Sequence, residues 1–397
     1  MDFLLPQELV EIKRTVREFV DHEVEPLATQ IEQQDRVPDD VLEKSRKLGL
    51  FGLSIPEEYG GLGLSMLGKC AVFEELGRTI NGYTTVIGAH NGIGSVGIVE
   101  LGNEEQKRRY LPKMASGEWI GAFALTEPQA GSNAANLRTV AVKKGDRYIL
   151  NGQKIYITNA PMAHVFTVMA ATDPEKGVRG ITSFIVERSF PGFHMGRVER
   201  KMGLHGSQTA QLYFEDLEVP EENVLGEVGR GYINALSILA NGRAGLAARS
   251  LGSSEYLLEK SLAHALTREQ FGKPIFEQQI IQHYLAEMAL EIETLRAFLY
   301  KVGWQADQGE KIVKEAAMLK LYGSEVYNRV ADKAVQIHGG IGYIADYPIE
   351  RFYRDARITR IYEGTSEIQK NIIAARLKRE FERRAAHGFD VRAEGEC

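Results

Sequence analysis

Glu363 stands in the stretch RIYEGTSEIQ (360–369), directly after an isoleucine and a tyrosine and directly before Gly364. An apolar setting raises the pKa of a carboxyl group toward neutrality, and this improves the group as a catalytic base. The alternative is a solvated acid in a surface loop, since Ser366 and Gln369 match the spacing of a capping box for a following helix. The rest of the chain has to decide between these interpretations.

Four further stretches are unusual for plain scaffolding: three combine glycines with polar or aromatic residues, and the fourth ends a strand with an aromatic residue and a hydroxyl. A turn rich in small residues lets backbone amides approach an anionic or aromatic ligand closely. Each stretch taken alone is more typical of an ordinary turn or helix cap. The stretches are LTEPQAGSN (125–133), YITN (156–159), TREQFGKP (267–274) and QIHGGIGY (336–343).

Other motifs are absent or lack their context. GIGSVG (92–97) matches the dinucleotide fingerprint, but ELGNEEQKRRYLP follows it inside a helical region, so we expect no nicotinamide site. The sequence has no GxxxxGK[ST] and no GxSxG. Its histidines and cysteines show no metal-ligand spacing, which argues against a zinc site. His338 is more typical of a packing or loop residue than of a ligand.

Composition bounds the class of protein. The 397 residues are 44% hydrophobic and 26% charged, as in a soluble globular protein. The net charge of −6 gives no global reason to expect nucleic acid as a partner. No apolar run approaches the roughly 20 residues that span a bilayer. The acidic N-terminus resembles neither a transit nor a signal peptide, and Cys70 and Cys397 lie far apart, so we expect a cytoplasmic protein.

The chain has three textures, which predict an α+β protein that is mostly helical. Residues 1–119 show helical spacing of apolar residues, as in LVEIKRTVREFVDHEVEPL. Residues 120–230 are β-branched and aromatic with hairpin turns, and they predict an antiparallel sheet because no helices intervene. Residues 231–380 return to long helical stripes and predict a helical bundle. The tail, 381–397, is polar and is expected to be frayed.

Six motifs in this order resemble the acyl-CoA dehydrogenase family over roughly residues 5–378. They are PEEYGGLGL, LTEPQAGSN, KMGLHGSQTA, REQFGKP, QIHGGIGY and IYEGTSEIQ. The resemblance implies a helical N-terminal domain, a central β domain and a C-terminal four-helix bundle, in agreement with the three textures. It also implies non-covalent FAD, a homotetramer, and an electron-transfer flavoprotein as electron acceptor.

The reaction implied by the resemblance is α,β-dehydrogenation of a fatty acyl-CoA to the trans-2-enoyl-CoA. The family's base falls on Glu363, which would take the α-proton while the flavin accepts the β-hydride. One subgroup places its base instead at the position of Gly242, which cannot serve here. Arg243 resembles the family's substrate-side arginine, although a helix-surface ion pair is its plainer role. Ser132 and Gly364 would also lie near the acyl-CoA.

The resemblance also assigns flavin contacts. Those of the same chain are Phe123, Leu125, Thr126, Gly131, Ser132, Tyr156, Ile157, Thr158, Thr365 and Glu367. Those reaching the cofactor of a neighbouring subunit are Arg268, Gln270, Phe271, Gln278, Gln279, Gln336, Ile337, Gly339 and Gly340. Arg268 suits the pyrophosphate because a guanidinium binds phosphate in a bidentate manner.

Two departures and the acyl length are specific to this chain. The family commonly has tryptophan at Tyr156 and aspartate at Asn133; tyrosine keeps a flat ring, whereas Asn133 loses a charge. The motif VIGAHNGIG looks closest to the long- and very-long-chain branch, although the chain lacks that branch's C-terminal extension. Gly88 and Ala89 would leave the bottom of the acyl pocket open if their helix lines it. We therefore expect a medium-to-long acyl-CoA.

Other functions stay open at this point. An acyl-CoA oxidase and a dehydrogenase of carrier-protein thioesters are alternatives within enzymes. A non-catalytic CoA-binding helical module is the alternative from another class, against which the intact base and flavin motifs argue. A yellow protein that an acyl-CoA bleaches without air would separate an enzyme from such a module.

Overall fold

A computed structural model of the protein describes residues 5–386. The predicted boundary at residue 380 falls inside the last helix, which continues to Ala386, so the frayed tail does not begin at 381. Residues 387–397, the remainder of that predicted tail, lie outside the described residues.

The N-terminal region is helical, as its apolar spacing predicts. α1 buries Val16 and Phe19 on its inner face, and a π-helical and a 3₁₀ turn carry the chain past Pro26. A further π-helical turn, His90–Gly94, lies between the fifth and sixth helices, so GIGSVG follows no strand. The helices are α1 (Gln7–Phe19), α2 (Ala28–Gln34), α3 (Asp39–Lys47), α4 (Met66–Leu76), α5 (Asn81–Ala89), α6 (Val96–Leu101) and α7 (Glu104–Ala115).

The central region is a sheet, and three pairs of consecutive strands in it, β2–β3, β4–β5 and β6–β7, are antiparallel. The strand order is β6-β7-β3-β2-β4-β5-β8, with β1 beside β4 in parallel. The prediction of an antiparallel sheet is confirmed, with β1 and one bridge from β2 to β4 as parallel additions. The strands are β1 (Gly121–Ala124), β2 (Val140–Lys144), β3 (Arg147–Thr158), β4 (Val165–Ala171), β5 (Ile181–Glu187), β6 (Phe193–Val198), β7 (Thr209–Pro220) and β8 (Val224–Leu225).

The C-terminal region is helical again and confirms the three-part architecture. α10 packs against α8, α9, α11 and α12, and α8 also packs against α4. No helix within residues 5–386 is both long and apolar enough to cross a membrane. The elements are α8 (Gly231–Thr267), the two-residue strands β9 (Glu269–Gln270) and β10 (Lys273–Pro274), α9 (Gln279–Asp307), α10 (Val313–His338), α11 (Ile349–Thr359) and α12 (Ser366–Ala386).

The first and third regions share one large hydrophobic core, whereas the sheet has a cluster of its own and two smaller clusters that it shares with the helices. Val20, Leu251 and Val330 belong to the same buried cluster, although each comes from a different part of the chain. α4 and α8 meet backbone to backbone at Gly252, where a Cβ would lie 1.8 Å from the carbonyl oxygen of Glu74. This close contact brings α4, α5 and the middle of α8 together around the cavity described below.

Candidate active site

Glu363 lies in the turn between α11 and α12, in the left-handed region with a φ of 55°. A non-glycine residue rarely adopts this conformation, and it persists only where neighbouring groups enforce it. The Gln369 amide donates to the carbonyl oxygens of Glu363 and Gly364, at 3.1 and 3.0 Å. Lys320 Nζ donates to the Gly364 carbonyl at 2.6 Å. The turn that carries the carboxylate is therefore held from two helices.

The Glu363 carboxylate faces inward. Its Oε2 atom is buried and has no hydrogen-bond partner, and a Cβ on Gly242 would lie 2.8 Å from it. Burial raises the pKa of Glu363, against the opposing charges of Arg249, Lys320 and Arg243. This buried oxygen is not that of a solvated loop acid. Gly242, at the position of the alternative base, instead leaves the space that the carboxylate fills.

The capping box predicted for Ser366 and Gln369 is wrong. Ser366 is the first residue of α12, and its hydroxyl donates to Glu325 at 3.0 Å. Thr365 accepts from the backbone N–H of Ile368 at 3.3 Å and takes the capping role. Gln369 turns back to the Glu363–Gly364 backbone, because these carbonyls would otherwise be left without a donor.

A narrow cavity adjoins Gly242. Four of its lining residues are glycines, which add no side chain to its walls. Two cationic side chains, one from α8 and one from α4, also line it. These lining residues are Gly88, Gly92, Gly242, Gly245, Arg249 and Lys69. Because α8 contributes both Gly242 and Arg249, the cavity runs along this helix away from Glu363.

The expectation that Gly88 and Ala89 leave an open pocket bottom is not met. A Cβ on Gly88 would lie 2.9 Å from an Nη atom of Arg249, so the guanidinium occupies the space that the glycine leaves. Ala89 is buried and is not among the residues that line the cavity. The geometry at Gly88 therefore does not support the expectation of a medium-to-long acyl group.

The two flavin-type stretches of the sheet lie side by side. The backbone N–H of Ile155 donates to the Thr126 carbonyl at 2.9 Å. Behind them, buried Lys154 forms an ion pair with Glu127 at 2.7 Å, and Glu127 accepts from the backbone of Arg138 and Thr139. This internal pair connects the loop after β1 to β3.

The surface so formed fits a flat aromatic cofactor. The Tyr156 side chain is 63% exposed at a φ of 58°, beside half-buried Thr126 and Thr158. Gly131 and Ser132 are exposed, and a Cβ on Gly131 would meet nothing within 4 Å. By contrast, the side chains of Phe123, Leu125 and Ile157 are buried in hydrophobic clusters, so they can offer a ligand mainly their backbone.

The remaining flavin-type residues gather elsewhere. Stacking of the His264 and His338 rings, 4.5 Å apart, brings the 268–279 segment close to the end of α10. Arg243 and Arg268 are 25 residues apart along and just beyond α8, or about 38 Å at 1.5 Å per residue. Arg268 and the exposed groups around it are therefore far from the cavity of their own chain. The segment's exposed members are Arg268, Gln270, Phe271, Gln279, Gln336, Gly339 and Gly340, with Gln278 half-buried and Ile337 buried.

The predicted flavin and substrate contacts beside the turn that carries Glu363 differ in their exposure. Thr365 is half-buried in its capping role, whereas Glu367 is exposed on the first turn of α12. Arg243 is buried, and its Nε atom has no partner.

Several residues of the site carried no motif. The sequence analysis missed Arg249, Lys69, Lys320 and Lys154, because single polar residues in helices and strands are usually exposed. One signal was available for Arg249: it lies seven residues after Gly242, two helical turns along the same face.

Family models match almost the whole described chain. The acyl-CoA dehydrogenase N-terminal domain matches residues 6–118, the middle domain residues 122–217 and the C-terminal domain residues 229–378. An acyl-CoA dehydrogenase of Bacillus subtilis (strain 168) is 44% identical, over 94% of this chain and 98% of its own. A short-chain specific acyl-CoA dehydrogenase of Clostridium acetobutylicum is 41% identical, over 96% of this chain and 100% of its own.

Solved structures agree. Butyryl-CoA dehydrogenase from Megasphaera elsdenii superposes with a TM-score of 0.93 at 38% identity, over 95% of this chain and 100% of its own. A chain from structural work on the electron transferring flavoprotein of Acidaminococcus fermentans gives 0.93 at 41% identity, over 96% and 100%. An acyl-CoA dehydrogenase complexed with FAD from Bacillus anthracis gives 0.90 at 38% identity, over 96% and 68%. The chain belongs to the acyl-CoA dehydrogenase family, a family of oxidoreductases.

Proposed function

We propose that the protein dehydrogenates an acyl-CoA thioester between its α and β carbons, with Glu363 as the base. The cofactor is FAD, which accepts the β-hydride when bound. The observation that carries the proposal is the buried, unpartnered Oε2 of Glu363 beside the cavity. An α-proton is the partner that such an oxygen lacks.

The chain's own residues would bind, orient and move the proton. The raised pKa of Glu363 makes its carboxylate a stronger base, and the exclusion of water leaves it without a competing donor. Gln369 and Lys320 are positioning residues, since they hold the turn and not the substrate. Tyr156, Thr126, Ser132 and Thr158 would hold the flavin.

Replacement of the base tests this assignment. Glu363→Gln keeps the shape of the side chain, so FAD should remain bound. Reduction of the flavin by substrate should slow by at least ~10²–10⁴-fold, the usual scale for loss of a general base. Stopped-flow absorbance of the flavin measures it, with Glu382→Gln, an exposed acid of α12, as the matched control. Reduction of Glu363→Gln at the rate of the control would place the base elsewhere.

We further propose that the flavin site is completed by a second subunit of a homotetramer. Support comes from the exposed apolar groups near Arg268, since Phe271 is 93% and Tyr343 is 80% exposed. Large apolar side chains exposed together are typical of a surface that another protein chain covers. Arg268→Ala should lower FAD retention and, through linkage, loosen the oligomer. Sedimentation and flavin absorbance measure both; a monomer with full flavin content would contradict the proposal.

The electron acceptor belongs to the same proposal. We propose that an electron-transfer flavoprotein accepts the electrons, supported by the likeness to the chain from the Acidaminococcus fermentans flavoprotein work. We also propose a cytoplasmic location. The oxidase alternative differs in one measurable step. If substrate-reduced enzyme is reoxidised faster by air than by an electron-transfer flavoprotein, the protein is an oxidase.

The acyl group is proposed to be short. The relative from Clostridium acetobutylicum is short-chain specific, and the Megasphaera elsdenii enzyme is a butyryl-CoA dehydrogenase. The Arg249 guanidinium over Gly88 limits the depth of the cavity in the same sense. Turnover should fall from butyryl-CoA to palmitoyl-CoA, and the reverse order would overturn this part.

A further inference from the structure

We infer that the acyl group of the substrate ends in a second, free carboxylate, which Arg249 and Lys69 bind at the far end of the cavity. The inference rests on the proposed function, because it names the class of acyl-CoA that the same site takes. The substrate would be the mono-thioester of a short dicarboxylic acid.

The first observation is an unsatisfied buried cation. Arg249 is 7% exposed, and its only hydrogen bond in the described chain runs from Nη1 to the Thr85 hydroxyl at 3.3 Å. Its Nε is buried without a partner, and the guanidinium interacts with the Glu363 carboxylate through its charge, without a hydrogen bond. A buried guanidinium costs folding free energy unless an anion or several acceptors compensate it.

The second observation is the charge balance around the base. The positive charges of Arg249, Lys320 and Arg243 all interact with the Glu363 carboxylate, and Lys320 also interacts with the charges of Glu325 and Glu367. Because Lys320 has these other acidic partners, Arg249 and Arg243 are left with Glu363 as their one carboxylate. When Glu363 takes up the α-proton its charge disappears, and the surplus positive charge grows. A substrate carboxylate would neutralise it, whereas an alkyl tail would only remove more water from the guanidinium.

The third observation is distance. Gly242 contacts the Glu363 carboxylate, and Arg249 follows seven residues later on the same face of α8, about 10 Å along the axis. Arginine side chains in helices point back toward the N-terminus, which shortens this span. An extended short chain whose α-carbon lies at Glu363 can therefore place its far end at the guanidinium.

A second cation lines the same cavity from α4. Lys69 has no side-chain hydrogen bond or ion pair within 4.0 Å in the described chain, and burial lowers the pKa of its amine. Glu100 and Asp307 act on it only at longer range; Glu100 accepts from Asn241 at 2.6 Å, and Asp307 from the backbone N–H of Met66 at 2.7 Å. Lys69 and Arg249 thus approach one cavity from two helices.

The competing explanation is that Arg249 serves only as a distant counter-ion of Glu363. Arg249 is the strongest of the three cations that act on Glu363, but Lys320 and Arg243 already supply two positive charges to the same single carboxylate. The counter-ion explanation also does not account for Lys69, which lines the same cavity. The two explanations differ in what they predict for substrate choice.

A matched pair of substrates tests the inference. Glutaryl-CoA and pentanoyl-CoA have the same number of acyl carbons and differ in the terminal carboxylate. The wild-type holoenzyme should give a higher kcat/KM with glutaryl-CoA, and the difference should lie mainly in KM. In Arg249→Gln the ratio of the two kcat/KM values should fall by at least ~30-fold, the scale for loss of one partner of a buried charge pair. Arg14→Gln, an exposed arginine of α1, should leave the ratio unchanged.

Binding to a variant without the base separates this inference from the proposed function. Glu363→Gln should bind glutaryl-CoA more tightly than pentanoyl-CoA in calorimetry, whether or not Glu363 is the base. Tighter binding of glutaryl-CoA with no turnover in wild type would overturn the proposed reaction and keep the inference. Equal or tighter binding of pentanoyl-CoA would overturn the inference alone.

A second variant guards against misfolding of Arg249→Gln. Lys69→Met removes the other cation and should lower the same ratio in the same direction. If flavin content shows Arg249→Gln to be unfolded, the wild-type ratio and Lys69→Met decide. A ratio that neither variant changes would overturn the inference.

Discussion

Three residues with proposed roles share an uncommon backbone conformation. Glu363, Tyr156 and Phe271 have φ values of 55°, 58° and 54°. For a bulky aromatic residue a positive φ is a genuine outlier, and such strain concentrates at functional sites. At Glu363 the strain aims the carboxylate inward, against Gly242. The proposed role of Glu363 as a base therefore depends on the backbone conformation of this one residue.

The fit of Glu363 against Gly242 leads to a prediction. In Gly242→Ala the new Cβ would lie 2.8 Å from Oε2, so the carboxylate has to shift. We expect flavin reduction by substrate to slow by about 10²-fold, the scale for a misplacement near 1 Å, while FAD stays bound. Stopped-flow measurement should show no such loss for Gly68→Ala, whose Cβ would meet nothing closer than 3.4 Å. An unchanged rate in Gly242→Ala would mean that Glu363 does not work in this position.

At the scale of elements, the loop after β1 depends on a charge pair inside the sheet. Lys154 and Glu127 are 0% and 2% exposed in their side chains. Glu127 also accepts backbone N–H groups of Arg138 and Thr139 and so fixes both ends of the loop 125–139. The proposed flavin surface therefore has its support in residues that never touch the ligand.

Breaking this pair should unfold the loop. In Lys154→Met the Glu127 carboxylate remains buried without its cation, which costs about 3–5 kcal/mol. Denaturant unfolding should show the loss, together with lower flavin content. The double variant Lys154→Met/Glu127→Gln removes both charges and should recover part of the stability. A double variant as unstable as the single one would show that the charge left behind is not the cause.

At the scale of the whole molecule, Asp355 connects the sheet region to the helical region. Its Oδ1 accepts the backbone N–H of Leu204 at 2.5 Å, and its Oδ2 is buried without a partner. Burial raises the pKa of Asp355 from 3.8 to about 6. The protonated form therefore suits the folded state better than the charged form does.

The pH dependence of stability follows from this shift. Because the folded pKa is raised, the contribution of Asp355 is fully present below pH 4 and is lost as the pH rises through 6. Asp355→Asn should remove this dependence, so its stability relative to wild type should increase by up to about 3 kcal/mol between pH 4 and 7. Urea unfolding at several pH values measures the difference. A difference that is constant with pH would show that Asp355 does not titrate in this range.

The sequence by itself determined the three-part architecture, the family and the turn that carries Glu363. These follow from local patterns: helical and strand periodicity, hairpin turns, and short motifs whose glycines need particular backbone conformations. The end of α10 at His338, before Gly339 with a φ of 62°, is one such local feature.

Only the tertiary structure decided the character of the cavity. Gly88 alone suggests open space, but Arg249 from a distant helix fills it. Ser366 and Gln369 alone suggest a capping box, but Glu325 and the Glu363–Gly364 backbone offer them other partners. Spacing along the chain shows which residues share a face. It does not show which distant side chain packs against that face, because close packing brings together groups that no local pattern relates.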